Sequence, residues 1–165
     1  MKKILLLSSI IIVCTLELWG QKNMAKLGFV ASSGINTGLL YERSISDHFS
    51  LSAQVGYASI LDIFGENANG FGLFGEGRYY FTRNKDLMEG WHAGVYLHYL
   101  NTKTQNDYQL DRTGLGLVGG YQWIFTSHFT IDTMLGGGYM SDTSDDLSDD
   151  NGIYPFVGIN FGYNF

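Results

Sequence analysis

Residues 49–58 read Phe-Ser-Leu-Ser-Ala-Gln-Val-Gly-Tyr-Ala. The odd positions, Phe49, Leu51, Ala53, Val55 and Tyr57, are apolar; the even ones, Ser50, Ser52, Gln54, Gly56 and Ala58, are small or polar. Successive side chains of a strand point to opposite faces, so this alternation predicts a strand with one apolar and one small or polar face. No helical period competes with it.

The same period continues in both directions. Leu39 and Tyr41 oppose Gly38 and Glu42; Phe71, Leu73, Tyr79 and Phe81 oppose Gly72, Glu76, Arg78 and Tyr80. Ala93 to Tyr99, Leu115 to Trp123, Phe129 to Tyr139 and Val157 to Phe165 repeat it. Breaker residues divide the chain into strands near 25–31, 35–45, 49–60, 70–82, 90–101, 110–125, 129–140 and 152–165. Ser32-Ser33-Gly34 either separates the first two strands or kinks a single long one. Apart from the short first link, the connections alternate: 46–48 and 126–128 are tight and 83–89 is moderate, while 61–69, 102–109 and 141–151 are longer and polar. Membrane barrels have this asymmetry, with short periplasmic turns and longer outer loops, and an even strand count returns both termini to the periplasmic side.

Composition agrees with a sheet protein. Among 165 residues are 22 Gly, one Pro and one Cys; 45% are apolar, 15% aromatic and 16% charged. So many aromatics argue against a disordered chain. A net charge of -6 without a basic cluster argues against nucleic acid as a partner. Met1-Lys2-Lys3 followed by the apolar run Ile4 to Val13 has the form of a secretory signal, too short to span a bilayer as a helix. Cleavage after Gly20 would leave 21–165 as one domain without cysteine, because Cys14 lies in the removed segment.

The orientation of the apolar face separates a membrane barrel from a soluble ligand-carrying barrel. The opposite face carries Gly and the charges Lys26, Glu42, Glu76, Arg78, Arg112 and Asp132, which suits a cramped interior. The apolar face is zoned along its height. Aromatics such as Tyr41, Phe49, Trp91, Trp123 and Phe129 collect at the short-turn end, and a sparser set including Tyr57, Phe71, Tyr99 and Tyr139 at the other. Aliphatic residues such as Leu39, Val55, Leu97, Leu117, Leu135 and Ile159 lie between. Two aromatic girdles around an aliphatic band match two lipid–water interfaces. The expectation is an all-β, eight-stranded antiparallel transmembrane up-and-down barrel, with Leu117 facing lipid and Glu76, Arg78 and Asp132 inside.

The terminal segment Phe156 to Phe165 (FVGINFGYNF) alternates aromatics and ends on one. It resembles the assembly signal of Gram-negative outer-membrane proteins, with Phe161, Tyr163 and Phe165 as its aromatic positions. Together with Leu40-Tyr41-Glu42-Arg43, Glu76 to Phe81 and Gly119 to Trp123, the chain from residue 21 resembles small outer-membrane barrels of the OmpX/OmpA type. Within that type it is similar to the small outer-membrane barrels of Bacteroidetes. The resemblance implies an integral protein of the bacterial outer membrane, with both termini periplasmic. It also implies contact with outer-membrane lipid, lipopolysaccharide and the assembly machinery. It implies no activity.

The lumen charges Lys26, Glu42, Glu76, Arg78, Arg112 and Asp132 admit an acid/base or ion-path reading and a structural one. Charges inside so narrow a barrel must be paired, which favours a salt-bridge network, a plugged lumen and no catalytic site. His92 and His98, six positions apart on one strand, would lie about 20 Å apart and cannot share a metal. A lipid-modifying enzyme would need Ser or His with a carboxylate near the outer-leaflet level. His98 and Ser59 are the candidates, although His98-Tyr99-Leu100 carries no matching signature. The loop Ser141 to Asn151 holds five aspartates and no base, and Asp145, Asp146, Asp149 and Asp150 suit weak contact with divalent ions. It lacks the glycine and twelfth-position glutamate of a calcium loop, so a solvated acidic loop is the stronger reading. No cofactor is expected, and the barrel is expected to be monomeric. A structural, adhesive or binding role through the outer loops leads, ahead of a lipid-modifying enzyme or a narrow solute channel.

Overall fold

The computed structural model describes residues 23–31, 35–61, 67–82, 88–103, 109–126, 128–142 and 151–165. The segment 1–20, read above as a signal, lies outside them. Eight strands follow in order: β1 (Asn23–Ala31), β2 (Ile35–Ser44), β3 (Phe49–Leu61), β4 (Asn67–Tyr80), β5 (Gly90–Lys103), β6 (Gln109–Phe125), β7 (Phe129–Asp142) and β8 (Gly152–Asn164). Each pairs antiparallel with its sequence neighbours, and β8 pairs back onto β1 to close the barrel.

Closure preserves the two faces. Partners always share parity: Lys26 pairs with Leu40 and Gly162, and Leu39 pairs with Leu27 and Val55. Even-numbered residues therefore face the lumen on every strand, and odd-numbered residues face outward. The ladder also climbs the barrel. From Ala31 it passes through Val157, Leu135, Gly119, Ala93 and Tyr79 to Phe49. The last residue of β1 is thus linked stepwise to the first of β3, the stagger that accompanies strand tilt in a closed barrel.

The outer surface is apolar. Leu39 is 71% exposed and Leu117 and Leu135 are each 67% exposed, while Lys26, Arg78 and Asp132 inside are 2% or less. A water-soluble protein reverses this distribution. This is a transmembrane barrel, with hydrocarbon as the solvent of its wall.

The strands run further toward the long loops than side-chain alternation predicts. β4 begins at Asn67 rather than residue 70, β5 continues to Lys103 rather than 101, and β7 to Asp142 rather than 140. Ladder bonds use the backbone, so pairing persists beyond the apolar zone that marks the strand in sequence. Residues 25–45 form two strands, since Ala31 pairs with Ile35 in a hairpin.

Inside, side chains stack in layers from the turn end upward. Met24, Tyr80 and Met88 form the lowest apolar layer, with Ile124 packed against it. Met88 reaches that position with φ of 65°, a left-handed conformation uncommon for a residue with a Cβ. A charged layer lies above it, followed by a layer of Val30, Phe74, Tyr96, Val118, Met134 and Phe156. The rings of Phe74, Tyr96 and Phe156 stack mutually, with centroids 4.9–5.4 Å apart. Glycines make room for them. His92, Tyr96 and His98 on β5 pair directly with Gly120, Gly116 and Gly114 on β6. A Cβ on Gly116 would approach Tyr96 Cε1 to 2.6 Å and the Gly137 carbonyl oxygen to 2.5 Å. Large inward groups on one strand thus lie over bare backbone on the next.

Candidate functional site

The charged layer and its neutral partners are built from residues near the turn ends of all eight strands. Arg78, on β4, is its centre. One guanidinium nitrogen, Nη1, donates to Asp132 Oδ2 at 2.7 Å and to Glu42 Oε2 at 3.3 Å; the other, Nη2, donates to Glu76 Oε2 at 2.7 Å. The guanidinium's rigid fork of donors suits this bridging between separate carboxylates. Lys26 Nζ on β1 donates to Glu42 and to the Gln122 side-chain oxygen, and lies 3.4 Å from Asp132 Oδ2.

Neutral groups add to the pairing of Glu42 and Asp132. Ser50 Oγ and the Tyr80 hydroxyl donate to Glu42 Oε1 at 2.6 and 2.8 Å. Asn160 Nδ2 donates to Asp132 Oδ2 at 2.9 Å, and His92 Nε2 lies 3.1 Å from Asp132 Oδ1. The ion-paired side chains are fully shielded from solvent. Burial removes hydration from every charge, and the dense pairing offsets that cost. The arrangement ties distant strands together through the lumen and fills it.

Five of the six charges expected in the lumen come together: Lys26, Glu42, Glu76, Arg78 and Asp132. Arg112 does not join them. It lies ten residues toward the loop end of β6 from Gln122, and its Nε and Nη2 donate to its ladder partner Asp142 at 2.6 and 3.0 Å. Arg112 shares the even parity of the other five; its height separates it from the network.

Gln122, Asn160, Ser50, Tyr80 and His92 belong to the layer as well, and none of them is a carboxylate or a permanent cation that would mark it in the sequence. Their even numbers and their nearness to the turn ends were the available signal. The inner face, dominated in sequence by glycine and charge, also carries the large buried rings of Tyr96 and Phe156. His98 faces inward beside Tyr96, with ring centroids 6.1 Å apart. Ser59 is odd-numbered and belongs to the outer face, so the wall separates the two candidates for a lipid-modifying site. Among the described residues no cluster of His, Cys, Asp and Glu has the form of a metal site. Asp145, Asp146, Asp149 and Asp150 lie outside the described residues. Phe161, Tyr163 and Phe165 all face outward, and the backbone of Phe165 exchanges hydrogen bonds with that of Asn23 at 2.9 and 3.0 Å.

Residues 5–152 match the family model described as a protein of unknown function, DUF3575. The chain belongs to the DUF3575 family. No curated protein matches it in sequence. Among solved structures, this DUF3575 member is similar to Neisserial surface protein A, with a TM-score of 0.57 and 13% identity over 87% of this chain and 94% of that one. It is similar to the outer membrane protein OprG of Pseudomonas aeruginosa, with a TM-score of 0.53 and 12% identity over 88% and 96% of the two chains. The N-terminal β-barrel domain of Pseudomonas aeruginosa OprF gives a TM-score of 0.51 and 16% identity over 87% and 97%. At these identities the likeness is one of fold: the DUF3575 chain has the eight-stranded barrel found in these outer-membrane proteins.

Proposed function

We propose that this DUF3575 protein is a non-conducting integral protein of the bacterial outer membrane, acting as a rigid scaffold for its outer loops. The observation that carries this reading is the filled lumen. The ion network around Arg78 and the ring stack of Phe74, Tyr96 and Phe156 occupy successive layers of the interior. A solute channel needs an open path through both. With the interior committed to structure, binding or adhesion falls to the connections 62–66, 104–108 and 143–150, since loops on rigid scaffolds are where binding residues collect.

The membrane placement draws on the apolar wall and on the shared fold with outer-membrane barrels. In this reading Asn23, Phe165 and the short turns lie on the periplasmic side. Phe161, Tyr163 and Phe165 serve the assembly machinery, and the outer loops meet lipopolysaccharide. The barrel acts as a monomer without catalytic residues or cofactor.

Two measurements test the proposal together. Protein reconstituted into planar bilayers should give no steady channel currents. In cells, epitope tags inserted within 143–150 should be reachable by antibody from outside, and tags in the turn at Asp47 should not. Stable conductance would overturn the filled-lumen reading, and reversed tag exposure the orientation.

A further inference from the structure

The wall of the barrel carries a concave site on its outer face. One row of the ladder reads Trp91, Tyr121, Thr133, Ile159 and Phe29 from β5 through β6, β7 and β8 to β1. All are odd and face outward. The two ends of the row are bulky and its middle is a threonine. In the next row Gly119 presents no side chain at all. The resulting groove has a volume of about 950 Å³, with Thr133 and Gly119 toward its floor. Trp91, Tyr121 and Trp123 form one rim as an edge-to-face and tilted cluster, with centroids 5.2 and 4.6 Å apart. Phe29, Val157 and Ile159 form the other.

We infer that this groove holds the acyl chain of a membrane phospholipid at a defined site, on the leaflet nearest the short turns. The inference rests on the membrane placement proposed above. The groove is continuous with the apolar wall, so its surroundings are hydrocarbon. A chain lying on a convex stretch of wall touches one surface. Here a chain meets the floor and two rims at once and gains more contact. The rim of Trp91, Tyr121 and Trp123 stands at the interfacial aromatic girdle, the level at which a lipid's ester region would lie. A second copy of the barrel is a poor occupant. A two-fold contact centred on the groove would set it against its own copy, concave against concave, and leave a void between them.

Gly119 permits a clean test. A Cβ built there has its closest neighbour, the His92 carbonyl oxygen, at 3.7 Å, which is ordinary contact. Gly119→Leu should therefore fill the groove without disturbing the wall, and Thr133→Phe provides a second filling variant. Wild type and variants are reconstituted into dimyristoylphosphatidylcholine vesicles containing a small share of the same lipid with a diazirine on one acyl chain. After illumination, labelled residues are mapped by mass spectrometry. Wild type should be labelled several-fold more at the groove than at Val55 and Leu73, wall positions that are more exposed than Phe29 and Ile159. Both variants should bring groove labelling down to the wall level. Even labelling of the whole outer face in wild type would overturn the lipid site while leaving the membrane placement intact. Labelling of no outward position would overturn the placement itself. Crosslinks between two barrels at the groove would assign it to a second copy instead.

Discussion

Arg78 and Asp132 meet at 2.7 Å in the lumen, although two strands separate β4 from β7 along the wall and 54 positions separate the residues in sequence. The contact joins nearly opposite sides of the barrel. Asp132 also faces Lys26, His92 and Asn160, so four groups depend on one carboxylate.

Removing that carboxylate should therefore be costly. Asp132→Ala strips Arg78 of a short ion pair in a water-excluded layer and is expected to cost about 3–5 kcal/mol. Urea titration of protein folded in vesicles, followed by the shift in electrophoretic mobility between folded and unfolded forms, measures it. A loss under about 1 kcal/mol, the usual range of exposed ion pairs, would show that the network adds little.

Glycines on the two faces should respond differently to the same substitution. A Cβ on Gly116 would lie 2.5 Å from the Gly137 carbonyl oxygen and 2.6 Å from a ring carbon of Tyr96. On the outward Gly77 its closest neighbour is Leu51 Cδ2 at 3.6 Å. Gly116→Ala should destabilise the barrel by about 1–3 kcal/mol through overpacking. Gly77→Ala should be neutral or stabilising by up to about 1 kcal/mol. Equal effects in the same urea titration would contradict the assignment of faces.

Leu117 faces outward in the middle of β6 and is 67% exposed. Leu117→Arg should destabilise the barrel in vesicles by about 2–4 kcal/mol if the position lies at the bilayer midplane. The same variant should cost far less in a thin-shelled detergent micelle, where the guanidinium reaches water. A variant as stable in vesicles as wild type would mean that lipid does not cover β6.

The seam between β1 and β8 is directly testable. Ala31 and Val157 are ladder partners on the outer face, so Ala31→Cys with Val157→Cys should oxidise to a disulfide in the folded barrel. Ala31→Cys with Leu135→Cys, one strand further around, should not, because bridging requires Cα atoms within about 7 Å. Non-reducing electrophoresis distinguishes them, and failure of the first pair would mean that the barrel is open.

Much of this structure is a consequence of period two, which sequence displays openly. Because partners share parity around the closed barrel, the even number of Lys26, Glu42, Glu76, Arg78, Arg112 or Asp132 was enough to place each on the inner face. The odd number of Leu39, Leu117 or Leu135 was likewise enough to place each toward lipid. The strand count and closed topology followed from the same alternation and the spacing of its breaks. What parity cannot supply is height after one circuit of the wall. The stagger of the ladder sets that, and it decides that Lys26 reaches Gln122, 96 positions away, while Arg112 pairs with its ladder neighbour Asp142. Nor could alternation reveal the groove, which exists because Thr133 and Gly119 on adjacent strands fall between large residues brought beside them by the same stagger. Facing is local and is written in each strand; meeting across a lumen or along a wall depends on tilt, which belongs only to the closed barrel.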